Sequence, residues 1–71
     1  MKNKVTIENV RVGMRVYSIE DSRILYGYVM ECEDFHNVFV KFDNNFGSAY
    51  YCLVENCEDN GGEIDILYYD L

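Results

Sequence analysis

The chain has 71 residues, of which 49% are hydrophobic and 15% aromatic, and its formal net charge is −7. This length predicts one domain over residues 1–71, and the apolar content is too high for a disordered chain. No apolar run approaches the roughly 20 residues needed to cross a bilayer, so a transmembrane helix is not expected. Lys2 and Lys4 are followed by Val5-Thr6-Ile7-Glu8 instead of an apolar signal core, so we expect a cytoplasmic protein.

Short apolar runs and polar breaks alternate along the chain. In order, we predict a first strand or arm at 4–7, a strand from a turn at Gly13 to about residue 19, a hairpin at 26–43, a strand at 48–54 and a last strand at 63–69. Polar loops separate these elements, and the loop at 43–47 is rich in residues that tolerate left-handed backbone. No window shows a helical period, which favours an all-β domain.

The hairpin at 26–43 carries the clearest strand signal. Two runs rich in Tyr, Val and Phe flank a polar break at 34–37, as in an antiparallel hairpin. The second run alternates strictly, so one of its faces should lie in a core. In the first run, Tyr28, Met30 and Cys32 share one face while Val29 lies on the other, and we expect a bulge near Gly27.

Five to six short antiparallel strands of this kind predict a small, closed or nearly closed β-barrel, which removes most exposed strand edges. One residue pattern narrows this class. It consists of Val10, Val12, Gly13, Arg15 and Val16, then Tyr26, Gly27, Tyr28 and Val29, then Val38, Val40, Phe42 and Asp43, and finally Leu53 and Val54. This spacing resembles the SH3-like barrels of the Tudor and KOW type over residues 10–54.

The resemblance implies a binding module, because barrels of this type bind protein, RNA or DNA. In Tudor domains an aromatic cage holds methylated lysine. The resemblance would place such a cage here only if Tyr26, Tyr28 or Phe46 converged near a carboxylate such as Asp43.

Catalytic and metal-binding chemistry have little support in the sequence. The spacing of Cys52 and Cys57, with Cys32 and one histidine elsewhere, fits zinc-ligand patterns poorly. We therefore expect three reduced cysteines and neither a metal nor another cofactor. His36 lies in the predicted hairpin turn with no nucleophile assigned beside it, so we do not expect an enzyme.

The charges are distributed unevenly along the chain. All six basic residues lie in the first 41 positions together with six acidic ones, whereas residues 42–71 contain seven carboxylates and neither Lys nor Arg. An acidic surface repels phosphate, which disfavours direct nucleic-acid binding. It favours a basic surface on a partner protein, although a net charge of this size is also ordinary for a soluble domain.

Tyrosine is the second unusual feature, with seven residues that include the pairs Tyr50-Tyr51 and Tyr68-Tyr69. Neighbouring strand residues face opposite ways, so one ring of each pair should be at least partly outside, although packing in the core is the alternative for any single ring. Outer rings and late carboxylates together form the predicted partner-binding set. Its members are Tyr51, Glu55, Glu58, Asp59, Glu63, Asp65, Tyr69 and Asp70.

Three functional hypotheses follow from these features. The first is a protein-binding module that docks on a basic surface of a partner, for example a bacterial or phage-encoded modulator or inhibitor of a nucleic-acid-binding protein. The second is a nucleic-acid-binding SH3-like module that uses Lys2, Lys4, Arg11 and Arg15. The third is a structural homo-oligomer that pairs through the last strand as an exposed edge.

Overall fold

A computed structural model describes residues 3–55 and 61–70, which form one antiparallel sheet. Its six strands are β1 (Asn3–Lys4), β2 (Arg15–Glu20), β3 (Arg23–Glu31), β4 (Val38–Phe42), β5 (Ser48–Tyr51) and β6 (Tyr68–Tyr69). Their order across the sheet is β1-β6-β2-β3-β4-β5. The predicted all-β class with six short strands is confirmed, and the described residues contain no helix that could cross a membrane.

The inner face of the sheet carries the hydrophobic core, because opposite residues of paired strands point to the same side. Val16 of β2 and Phe42 of β4 both lie opposite Gly27, and Val29 lies opposite Val40. The buried cluster extends to residues outside the central strands. Its members are Val5, Val10, Val16, Val29, Val38, Val40, Phe42, Tyr51, Leu53 and Leu67.

Turn chemistry determines where the strands reverse. Asp21 and Ser22 join β2 to β3 with φ angles of 45° and 68°. Positive φ at both positions is what a type I′ hairpin turn requires. The predicted left-handed turn after β4 is present, with φ angles of 56° at Asn44 and 60° at Asn45. Gly13 has a φ of 89°, so the predicted glycine turn before β2 is also confirmed.

The central hairpin differs from its prediction in the position of the bulge. The register of β3 and β4 shifts between Val29 and Glu31, not near Gly27. Before the shift Val29 points into the core, and after it Cys32 packs against the core, so Cys32 does not share a face with Tyr28. Gly27 has another role: a Cβ at this position would lie 2.5 Å from the backbone oxygen of Lys41.

The sheet is not closed into a barrel, so the SH3-like barrel is not confirmed. The predicted strands at 48–54 and 63–69 are longer than β5 and β6, because both chain segments leave the sheet. Residues 65–67 instead cross the opening between the two edges. The Val5 N–H donates to Leu67 O at 2.8 Å on one side, and the Asp65 N–H donates to Cys52 O at 2.9 Å on the other. We call residues 65–67 the crossing segment.

Two further predictions need correction. The last strand is not an edge, because β6 lies between β1 and β2 and the edges are β1 and β5. The cysteines are not all reduced, because Cys52 belongs to a disulfide bond while Cys32 is a free thiol. An odd cysteine count does not exclude one disulfide, so the count alone did not justify the prediction of three reduced thiols. Cys57 lies outside the described residues.

Gly27→Ala should lower the free energy of unfolding by about 1–3 kcal/mol, because the added methyl group meets backbone that cannot rotate away. Urea unfolding followed by circular dichroism measures the change. Ser48→Ala, on an exposed strand position, should change it by less than about 0.5 kcal/mol. Equal effects of the two substitutions would contradict the close approach at Gly27.

Candidate functional site

The tyrosine assignment within β5 is wrong. Tyr51 is 8% exposed because it faces inward opposite Val38, and burial raises the pKa of its phenol group while Ser18 hydrogen-bonds to it. Its neighbour Tyr50 is 63% exposed and contacts Phe39 with ring centroids 4.9 Å apart. Tyr50 is therefore the ring of this pair that a partner could reach.

The other predicted partner-binding residues do not form one continuous patch. Tyr69 is half-buried and packs against the core, whereas Glu63 is exposed. Asp70 is exposed and accepts a hydrogen bond from the Tyr17 hydroxyl at 3.3 Å. Glu58 and Asp59 lie outside the described residues. Among the described members of the set, Glu55 and Asp65 line the same concave surface.

That surface is a groove of about 390 Å³ at the opening of the sheet, and we call it the isoleucine groove. The crossing segment forms its middle, flanked by the chain that continues from β1 and by the chain that continues from β5. Its floor consists of the buried residues Val5, Leu53 and Leu67. Its walls and rim are more exposed and consist of Lys4, Thr6, Ile7, Glu8, Val54, Glu55, Ile64, Asp65 and Ile66.

Alternation along the crossing segment explains why isoleucines face the solvent here. Leu67 points inward with no exposed surface, so Ile66 points outward and is 53% exposed. Asp65 follows the same alternation as Leu67 but is only partly buried, at the margin of the groove, and its carboxylate accepts a hydrogen bond of 2.8 Å from the Cys52 N–H. A partly desolvated carboxylate is stabilised by such a partner.

The rim of the isoleucine groove carries more negative than positive charge. Glu8, Glu55 and Asp65 contribute three carboxylates, and Lys4 contributes one ammonium group. The apolar walls between them include Ile7 and Ile64, which are each more than two fifths exposed. A ligand that fits this surface combines apolar side chains with positive charge.

The outer face of the sheet carries a row of aromatic rings. Tyr17 lies between Tyr26 and Tyr68, with centroid distances of 5.3 and 5.6 Å. These rings bury Tyr17 on the outer side of the sheet, and this burial raises the pKa of its hydroxyl group, with Asp70 adding to the effect.

Arg15 lies against two of the three rings that an aromatic cage could have used. Its guanidinium carbon lies 4.6 Å from the ring centroid of Tyr28 and 5.3 Å from that of Tyr26. The same guanidinium donates two hydrogen bonds to Asp43, one of them 2.9 Å from Nη1 to Oδ1. Phe46 is instead beside Arg23, at 5.7 Å. The chain thus places its own cation where a cage would hold an external one.

The basic residues of the nucleic-acid hypothesis are dispersed. Lys2 lies outside the described residues, and Lys4 lines the isoleucine groove beside carboxylates. Arg11 lies in the turn before β2, and Arg15 is paired with Asp43. Arg15 is thus paired with a carboxylate and Lys4 lies near several, whereas Arg11 is exposed and has no ion pair among the described residues.

Within residues 3–55 and 61–70, no group of three or more His, Cys, Asp or Glu side chains is arranged to hold a metal ion. The predicted turn position of His36 is confirmed: Asp34 Oδ1 accepts its backbone N–H at 2.9 Å. Hydrogen bonds from the Asn37 side chain and the His36 backbone lower the pKa of Asp34. Asp34 therefore organises the hairpin turn.

The chain matches no protein-family model, and no curated protein or solved structure was found to be similar to it.

Sequence reasoning missed the groove walls. The alternation within residues 63–69 places Ile64 and Ile66 on one face of the chain, opposite Asp65 and Leu67, but the sequence did not reveal which face is exposed to solvent. The usual expectation puts isoleucine inside and aspartate outside. The hydrogen bond from the Cys52 N–H to Asp65 reverses this expectation, and it joins residues 13 positions apart.

Arg15→Gln should raise the pKa of Asp43, because the Arg15 guanidinium is the main cause that lowers it in the folded chain. A lowered folded-state pKa stabilises the fold above the unfolded-state pKa, and this contribution is lost as the pH falls through the folded-state value. The variant should therefore lose stability near neutral pH and depend less on pH below about 4. Carboxyl-carbon NMR titration of Asp43 measures the shift.

Arg23→Gln is the matched control for this titration, because Arg23 stacks on Phe46 and makes no contact with Asp43 in the described structure. It should leave the Asp43 titration unchanged. An Asp43 pKa that is the same in the Arg15→Gln variant as in the unmodified chain would show that the ion pair does not form in solution.

Proposed function

We propose that this chain is a non-enzymatic protein-binding module whose isoleucine groove binds a basic, partly apolar segment of a partner protein. One observation carries the proposal: exposed isoleucines and carboxylates meet at the same concave surface. Isolated exposed apolar residues are ordinary on proteins, whereas a grouped set with a polar rim marks interaction sites.

The apolar part of the groove supplies the affinity in this proposal. Ile7, Ile64 and Ile66 are solvent-exposed in the unbound chain, so covering them removes apolar surface from water. The buried floor beneath them limits how far they can turn inward, because Val5, Leu53 and Leu67 already fill that space.

The rim supplies the selectivity. Glu8, Glu55 and Asp65 outnumber Lys4, and the rest of the chain adds to a net charge of −7. Lysine or arginine side chains of a partner would be attracted to this rim during encounter, which raises association rates and disfavours acidic competitors. The partner segment is thus expected to alternate apolar and basic side chains.

A regulatory role would suit such a module. Carboxylates that occupy a basic nucleic-acid-binding surface compete with phosphate for the same side chains, so a modulator or inhibitor of a nucleic-acid-binding protein remains our proposal for its biological setting. A relationship to SH3-like barrels belongs to the same proposal, with the groove at the position where such a barrel would close. A cytoplasmic location is also a proposal, and the disulfide at Cys52 is a feature more typical of oxidising compartments.

Direct nucleic-acid binding is the weaker alternative. Arg15 is already paired with Asp43, and Lys4 lies among the carboxylates of the groove rim. Neither arrangement favours the binding of a nucleic acid, which is a polyanion.

A capped peptide of alternating Lys and Leu should bind and shift the backbone amide NMR signals of residues 4–8, 53–55 and 64–67. Ile66→Ser should weaken binding about tenfold, because an apolar anchor worth more than about 1 kcal/mol is lost. The matched control is Ile24→Ser, since Ile24 is 52% exposed and Ile66 is 53% exposed, but Ile24 lies on β3 away from the groove.

Two further controls separate groove binding from general attraction to an acidic chain. A peptide of alternating Glu and Leu should not bind, and Glu55→Lys should weaken binding of the Lys-Leu peptide. Equal losses with Ile66→Ser and Ile24→Ser, or shifts spread over the whole sheet, would reject the groove as the binding site.

A further inference from the structure

The edge of the sheet at β5 is open, and the hydrogen bonds of β4 show which groups it exposes. The Phe42 N–H donates to Gly47 O at 2.9 Å, so Phe42 directs its backbone groups toward β5. Backbone direction alternates along a strand, so Val40 and Val38 do the same. Their partners Ala49 and Tyr51 therefore point toward β4.

Ser48 and Tyr50 consequently direct their N–H and C=O groups away from the sheet. Cys52 agrees with this alternation, because its N–H and C=O face outward and are both bonded to Asp65. Within the described part of the chain, no strand lies beyond β5 to pair with Ser48 and Tyr50. Such a row of outward backbone groups is a template for another strand.

The opposite edge of the sheet, at β1, is protected, in contrast to the edge at β5. At β1 the Asn9 side chain donates to Lys4 O at 3.1 Å and accepts the Thr6 N–H at 2.9 Å. The Asn9 side chain thus satisfies two outward backbone groups on this side of the sheet. β5 has the sequence Ser-Ala-Tyr-Tyr and lacks the lysine, proline or bulge that commonly protects an edge.

The charge distribution points to a second copy of this chain as the occupant. Residues 44–54 contain no residue that is charged at neutral pH, and this is the longest such stretch in a chain of net charge −7. Two copies can therefore meet at β5 without bringing carboxylates of this stretch together. The strand itself thus offers a basic partner no opposite charge, and Glu31, Glu33 and Asp34, which line a concave surface with Tyr50, belong to the end of β3 and the turn after it.

We infer that β5 pairs antiparallel with β5 of a second copy about a two-fold axis at Ala49. This register sets Ser48 of each copy opposite Tyr50 of the other, so the outward backbone groups of both residues are used. An axis at Tyr50 would set Ser48 against Cys52, where Asp65 already holds both backbone groups. An axis at Ser48 would set Tyr50 against Phe46, whose N–H already donates to Asp43 O at 3.1 Å. With the axis at Ala49 the two exposed Tyr50 rings are diagonal neighbours on one face of the joined sheet.

The association should be weak. A four-residue strand and one diagonal pair of rings bury much less than the roughly 1,600 Å² of a stable interface. Sedimentation equilibrium of the full chain should show the mass of one copy when dilute and approach that of two copies as the concentration rises. One-copy mass at every concentration would overturn the inference.

Tyr50→Lys should weaken the association at least about tenfold, because it removes a ring and places two like charges across the axis. Ile24→Lys is the matched control: this residue is also exposed on the outer side, but β3 is an interior strand. Circular dichroism checks that both variants fold. An equal loss with Ile24→Lys would overturn the pairing at β5.

Amide hydrogen exchange of the unmodified chain tests the same pairing without substitution. The Ser48 and Tyr50 amides should exchange more slowly in concentrated than in dilute samples, because pairing covers them. The Ala49 and Tyr51 amides already face β4 and should not change. If all four amides behave alike at both concentrations, the copies do not associate through this edge.

Discussion

The fold depends on how residues 65–67 cross the opening of an unclosed sheet. Three hydrogen bonds hold this crossing, from Val5 to Leu67 on the β1 side and in both directions between Asp65 and Cys52 on the β5 side. Leu67 is thereby fixed in the core with no exposed surface, and alternation directs Ile66 outward. The same hydrogen bonds therefore position both Leu67 in the core and Ile66 in the isoleucine groove.

Much of the architecture follows from local sequence signals. Alternating valines marked the strands that form the core, and Gly13 and the asparagines after β4 marked turns in left-handed conformation, as the structure confirms. These signals act over a few residues, through sterics and through the two-residue period of a strand, so a single sequence carries them. The hairpin of β3 and β4 is the best example, because both of its strands and its turn were predicted.

The sequence did not show whether the sheet closes, where the register of β3 and β4 shifts, or which residue faces are exposed to solvent. The bulge between Val29 and Glu31 depends on how β3 meets β4, and Gly27 serves a close approach to Lys41 instead of a bulge. Tyr51 was assigned to the surface, yet it lies opposite Val38 and faces inward. The partly buried aspartate at position 65 is held by a backbone N–H 13 positions away. Each of these outcomes is decided by a contact between residues far apart in sequence.

We propose that the isoleucine groove is a docking site for basic, apolar segments, and a spin-labelled peptide tests this most directly. A Lys-Leu peptide with a nitroxide at its centre should broaden the amide signals of Ile7, Val54 and Ile64 and leave those of Ile24 sharp. Broadening that is strongest at Ile24, or at Tyr28 on the outer face of the sheet, would contradict the account.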